Sequence, residues 1–264
     1  MQTATAAPAI KPPSALLALT ELHRAVVELT TLPVAAPILR LAPRGDGHPV
    51  LVMPGFTASD ASTGILRRYL KGLGYDVHAW ELGRNLGPKA IGRDGEKLVA
   101  RLRAIHETTG QKVSVIGWSL GGVMARQLSR LAPDAVRQVV TLGSPFTGDP
   151  RATNVLRLYE LVSGQKLADA DTQRQLAESR EAPPVPSTAI FTKGDGIVAW
   201  QNCLEPASAT TDNIEVYGSH CGLGVNAAVL FAVADRLALA EDGWKPFDRS
   251  GWKSAFYPSS GHLN

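Results

Sequence analysis

Short apolar runs and helical apolar stripes alternate along most of this chain. Residues 48–55 (HPVLVMPG) read as a strand entering a glycine turn, and 75–82 (YDVHAWEL) as a second strand. Between them, residues 62–73 carry Ile65, Leu66, Tyr69 and Leu70 at helical spacing and end at Gly72 and Gly74. Residues 93–108 repeat the helical pattern with Leu98, Val99, Leu102 and Ile105 on one face. Further strands are expected at 112–117, 136–142, 187–192 and 214–217, with helices at about 121–131 and 226–240. Strand–helix alternation of this kind predicts a mostly parallel sheet with helices on both faces, and ligand sites beyond the carboxyl ends of its strands.

Three segments depart from the rhythm. Residues 1–13 (MQTATAAPAIKPP) lack both the charged start and the apolar stretch of a secretory signal and read as a disordered tail. Residues 14–41 carry closely spaced Leu16, Leu17, Leu19, Leu22, Val26, Val27 and Leu29, which predict a helical extension, within 14–47, packing on the main domain. Pro33 and Pro37 are expected to break it. Residues 147–186 combine an apolar helical stretch (Val155, Leu156, Leu158, Leu161, Val162), a polar stretch and APPVP. Forty residues exceed what a crossover needs, so a small cap over a domain spanning 48–264 is expected.

The strand Val113, Val115, Ile116 runs into Gly117-Trp118-Ser119-Leu120-Gly121, a G-x-S-x-G turn, and an amphipathic helix follows. In that setting the motif is a nucleophile elbow: the serine sits at a tight strand-to-helix turn, and glycines two before and two after leave room for it. The helix N-terminus lies where oxyanion charge would develop.

A serine hydroxyl needs a base, and the base needs a carboxylate to hold its tautomer. His220 follows the strand at 214–217, and Asp195 follows the one at 187–192, both flanked by glycines that would let their loops turn. Asp149 is the alternative acid, and Asp212 lies in a polar loop. The backbone N–H groups of Leu120 and Phe56 are the candidate oxyanion donors. Trp118 and Trp200 flank the serine and the acid and are candidate substrate-binding residues, with core packing as the alternative. Ser144 would shape the pocket floor, and Asn85 would orient a water or a substrate carbonyl or shape a turn.

Composition narrows the function classes. A net charge of +3 with scattered Lys and Arg gives no support for nucleic-acid binding. Uninterrupted apolar runs fall short of a membrane span, and with no visible leader a cytoplasmic location is expected. Two cysteines, Cys203 and Cys221, leave a disulfide between the candidate catalytic loops open. Neither they nor the scattered histidines make a metal set, and no metal or organic cofactor is implied.

These residues carry a resemblance. PGF (54–56), GWSLGG (117–122), TLGSP (141–145), GDGIV (194–198) and SHCGL (219–223) resemble the α/β hydrolases, closest in pattern to bacterial lipases and esterases. The similarity covers residues 48–240. It implies an α/β-hydrolase fold, Ser119 as nucleophile, His220 as base and Asp195 as acid. Two departures are Pro54, where many relatives carry histidine, and the N-terminal extension. The expectation is a serine carboxylic-ester hydrolase acting through an acyl-enzyme on a hydrophobic acyl ester or lipid. An acyltransferase with the same triad and a non-catalytic ligand-binding protein are the alternatives.

Overall fold

In the computed structural model of the protein, residues 10–164, 169 and 177–259 are described below. Six strands, β1 (Pro49–Met53), β2 (Asp76–Ala79), β3 (Val113–Trp118), β4 (Val136–Leu142), β5 (Ser187–Phe191) and β6 (Thr211–Glu215), form one parallel sheet in the order β2-β1-β3-β4-β5-β6. The strand order reverses beside β1 and β3, and the predicted elbow follows β3 at that switch point, where open α/β sheets place their ligands.

Alternation along each strand divides the core between the two faces. Val50 and Val52 of β1 join one cluster, with α2 (Gly64–Leu73) and the helix Ala227–Leu237 over it. Leu51 and Met53 join the other, covered by α4 (Glu96–Thr109) and α5 (Leu120–Leu131). A one-turn α3 spans Pro88–Ile91, and α6 (Leu156–Ser163) lies within the segment expected to form a cap. The helix Ala227–Leu237 is α7. The predicted elements are all present. The last strand lies three residues earlier than expected, at Thr211–Glu215, because its register with β5 pairs Ser187 with Thr211.

The N-terminal helix α1 spans Ala15–Leu39, capped by Ser14, whose Oγ accepts from the Leu17 N–H at 3.3 Å. Pro33 and Pro37 do not break it: four apart and both exposed, they remove N–H groups on one solvent-facing side, where water serves the freed carbonyls. The C-terminal half packs Leu32, Ala35 and Leu39 on the core. The N-terminal half is inside out. Glu21 is buried, whereas Leu16, Leu19 and Leu22 are 72–84% exposed. Among the described residues, α1 is also the one helix long and apolar enough to cross a membrane, with a mean hydropathy of 1.2 over 18 residues. Counting uninterrupted apolar runs missed it, because isolated polar residues divide the stripe. Of the expected disordered tail, residues 1–9 fall outside the described part; Pro13 accepts a hydrogen bond from Asn154 Nδ2 at 3.3 Å.

Candidate active site

Ser119 stands at φ 53°, ψ −122°, a region that a residue with a Cβ enters only at a cost of about 1–3 kcal/mol. The surroundings impose it. The Ser119 N–H donates to Leu142 O at 2.8 Å, which ties the turn to β4. A Cβ on Gly121 would lie 2.6 Å from Pro54 O and 2.7 Å from Met53 O, so only glycine lets α5 start this close to β1. Ser144 is fully buried behind the elbow, its Oγ beside Gly117 O and Leu142 O, so it braces the turn instead of flooring the pocket.

Asp195 and His220 meet. His220 Nδ1 lies 2.6 Å from Asp195 Oδ2, with both side chains nearly fully buried. Asp195 Oδ1 accepts from the N–H groups of Ile197 and Val198, both at 2.8 Å, which leaves Oδ2 to the histidine. Burial disfavours the imidazolium, but the charge and hydrogen bond of Asp195, with a further contribution from Glu21, outweigh it, and the His220 pKa is raised above its ordinary value. The rival acids do other work. Asp149 accepts from the Arg151 N–H, and Asp212 accepts from the Phe247 N–H and pairs with Arg249.

The glycines around the pair have a different reason from the one expected. Gly194, Gly196, Gly218 and Gly222 are not in the positive-φ region. Three of them are small because α1 lies against them: a Cβ on Gly196 would meet Leu17 at 2.5 Å, and one on Gly222 or Gly218 would meet the Glu28 carboxylate at 2.4 or 2.8 Å; a Cβ on Gly194 would instead meet Gly218 O at 2.6 Å.

On the other side of Ser119, the turn after β1 carries Phe56. Among the described residues, neither the Phe56 nor the Leu120 N–H has a protein acceptor. Asn85, fully buried, holds this turn: its Nδ2 donates to Pro54 O at 2.8 Å, its backbone N–H to Ala58 O, and its carbonyl accepts from the Thr57 N–H. Asn85 is therefore a brace, not a group directed at substrate.

Ser119, Leu120 and Phe56 line one cavity of about 180 Å³. Val123, Pro145 and Val198 extend its apolar wall, and the expected cap supplies Pro150, Val155, Leu156 and Tyr159. Tyr159 packs on Phe56 with ring centroids 5.3 Å apart. Gln127, Arg130 and Glu178 add polar groups to its lining. Part of the predicted insertion, 165–168 and 170–176, lies outside the described residues. Trp118 and Trp200 do not line this cavity. Trp118 turns its indole toward the base loop, donating from Nε1 to His220 O at 3.1 Å. Trp200 stacks on Phe191 at 5.7 Å, and the Lys193 ammonium lies over its ring at 5.2 Å. Both tryptophans are taken up by packing behind the loops. Cys203 and Cys221 are free thiols; burial pushes Cys221 up to about 12.

Sequence missed Glu21, Arg24 and Glu28. All three reach the Asp195 and His220 loops from α1: Glu21 accepts from the N–H groups of Gly196, His220 and Cys221, Arg24 donates to Gly194 O and Gly218 O, and Glu28 accepts from Ser219. Their spacing, i, i+3 and i+7 on a helix with no other Asp, Glu, Lys or Arg, was the available signal.

Residues 96–191 match the family described as PGAP1-like alpha/beta domain. Two relatives are each named triacylglycerol lipase. The one from Pseudarthrobacter phenanthrenivorans is 28% identical over 108 residues, 38% of this chain and 34% of the relative. The one from Burkholderia plantarii is 28% identical over 108 residues, 38% of this chain and 30% of the relative. This chain thus spans about a third of the length of the curated relatives it matches. Among solved structures, Aspergillus fumigatus lipase B aligns with a TM-score of 0.54 at 18% identity, covering 75% of this chain and 54% of that one. A Paleococcus ferrophilus monoacylglycerol lipase aligns at 0.52 and 15%, covering 73% and 96%. These likenesses establish the fold.

Proposed function

We propose that this chain, an α/β hydrolase by fold with lipases among its relatives, is a serine carboxylic-ester hydrolase that takes a hydrophobic acyl group. The observation that carries the reading is Ser119, held in a strained elbow on the wall of a largely apolar cavity, on the same sheet edge as a buried His220–Asp195 pair. A Cβ on Gly143 would touch His220 Nδ1 at 3.1 Å and Asp195 Oδ2 at 3.4 Å, so the pair sits directly over the end of β4, to which the serine N–H is bonded.

The proposed chemistry uses these groups. Ser119 Oγ attacks the ester carbonyl carbon while His220 Nε2 takes the hydroxyl proton. The carbonyl oxygen, now an oxyanion, accepts from the unpaired Phe56 and Leu120 N–H groups, at the N-terminus of α5. Asp195 holds Nδ1–H and stabilises the imidazolium. The tetrahedral intermediate collapses by breaking the bond to the alcohol oxygen, which receives the proton from His220. Water, deprotonated by His220, then attacks the acyl-enzyme and releases the acid with Ser119 restored.

The test is hydrolysis of p-nitrophenyl esters from acetate to palmitate by the wild type and Ser119→Ala. The expected result is turnover by the wild type, with kcat lower by about 10⁴- to 10⁶-fold in the variant. Equal rates for the two proteins would overturn the reading.

A further inference from the structure

We propose that Glu21, delivered by α1 from outside the hydrolase core, is a positioning residue for the Asp195–His220 pair; this rests on the serine-hydrolase reading above. Its carboxylate is buried, with a side-chain exposure of 3%. Oε1 accepts from the Gly196 N–H at 2.7 Å and the His220 N–H at 3.2 Å, and Oε2 from the Cys221 N–H at 2.8 Å. One carboxylate therefore joins the backbone directly after the acid to the backbone of the base itself. Arg24 pairs with Glu21 at 2.8 Å and donates to Gly194 O at 2.7 Å, so the acid loop is gripped through both its N–H and its C=O groups. One turn on, Glu28 accepts from the Ser219 N–H at 2.8 Å and from Asn226 Nδ2 at 2.8 Å.

The chemistry of the contact is specific. The two loops leave the sheet at adjacent strands, and among the described residues the N–H groups of Gly196, His220 and Cys221 find their acceptor in Glu21 and not in a strand. Buried N–H groups without acceptors cost about 1–3 kcal/mol each, and a carboxylate can accept several at once. Neutral apolar residues at these helix positions would cover the loops without fixing the distance between them. Thr192 Oγ1 already joins them by donating to Gly218 O at 3.0 Å, and Glu21 adds a tie at the acid and the base themselves, which supports the 2.6 Å reach from Asp195 Oδ2 to His220 Nδ1. The carboxylate also has an electrostatic effect. The titratable and charged groups around the imidazole are Asp195 on the acid loop, Glu21 with Arg24 and Glu28 on α1, and Cys221 on the base loop, whose thiol stays neutral. Glu21 adds negative charge beside the imidazolium and helps hold the His220 pKa up. Neutralising it moves that pKa down.

Glu21→Gln is the informative variant. The glutamine amide keeps the size but replaces one acceptor oxygen with a donor facing backbone N–H groups. In the full chain, kcat and KM on a p-nitrophenyl ester are measured from pH 5 to 9, together with the rate at which a fluorophosphonate labels Ser119. The expected result is a loss of about ten- to a hundredfold in kcat, KM within about twofold, and an acid limb moved to lower pH. Glu28→Gln, which loosens the same helix without touching His220, is expected to leave the acid limb in place. Should Glu21→Gln not fold, Glu21→Asp keeps the charge and shortens the reach, and is expected to lower kcat with the acid limb unmoved. Wild-type rates and an unmoved limb in a folded Glu21→Gln, or wild-type kcat in Glu21→Asp, would overturn the proposal. A wild type that hydrolyses no ester and takes no fluorophosphonate fails at the prior step and overturns the serine-hydrolase reading with it.

Discussion

Helices α5 and α1 both bear on the candidate site, and they meet the domain with opposite faces. α5 buries Met124, Ala125 and Leu128 against the sheet and places its N-terminus behind Ser119. The N-terminal half of α1 buries Glu21, lays Arg24 and Glu28 against the loops, and leaves Leu16, Leu19 and Leu22 in solvent. The difference lies in what each helix faces. A sheet face presents apolar side chains, because its N–H and C=O groups are already paired in the ladder. The loops at 194–196 and 218–222 present bare backbone groups, which a helix covers without penalty only if it brings acceptors and donors. The inward side of a helix is thus chosen by its neighbour, not by its own hydrophobic stripe.

The largest expected effect separates the two helices by stability. Leu128→Ala removes a fully buried side chain from the cluster under β3 and β4 and is expected to cost about 2–5 kcal/mol. The urea midpoint falls with the slope unchanged, while the protein that remains folded keeps its kcat. A loss below about 1 kcal/mol would mean that α5 is not anchored by its apolar side, and the contrast with α1 would collapse.

The α5 side of the site was legible in the sequence because it is built from local rules. The apolar strand, the two glycines and the amphipathic run around Ser119 lie within twenty residues, and each has a steric reason to be there. His220 and Asp195 were legible at one remove, as polar residues just past apolar strands. The α1 side was not, because its meaning depends on contacts about 175 to 200 residues away in the chain. A stripe of leucines reads as a buried face until the loops opposite are known. The glycines flanking Asp195 and His220 were noticed for the wrong reason: none has a positive φ, and they admit α1 or, at Gly194, the backbone of the neighbouring loop. Trp118 and Trp200 misled in the same way, since proximity in sequence to a catalytic residue says nothing of which side of a loop a ring occupies.

Asn85 gives an intermediate effect on the α5 side and sharpens the comparison, since it braces one flank of Ser119 as Glu21 braces the other. Asn85→Ala leaves Pro54 O without its donor and frees the turn that carries Phe56. The expected outcome is about 1–3 kcal/mol of lost stability and a fall in kcat on the order of ten- to a hundredfold. Unlike Glu21→Gln, it should leave the acid limb of the pH profile in place, because Asn85 carries no charge. The wild-type acid limb itself should lie above the ordinary histidine value of about 6.5, since the proposed reaction needs neutral His220 and its pKa is raised. A limb at or below that value would show that Asp195 and Glu21 do not outweigh burial.

The smallest expected effect bears on the outward face of α1. Leu19 is 84% exposed, so Leu19→Ala is expected to change stability by no more than about 0.5 kcal/mol and to leave kcat on a soluble short-chain ester unchanged. The same leucine-to-alanine change is thus expected to differ several-fold in cost between α5 and α1, although both positions belong to apolar stripes of regular helices. Equality would break the comparison in an informative direction. If Leu19→Ala costs more than about 1 kcal/mol and the cost grows with protein concentration, the face is covered by a second copy in solution. If the cost is independent of concentration, α1 packs its leucines on its own domain, and Glu21 then loses the geometry that makes it a brace.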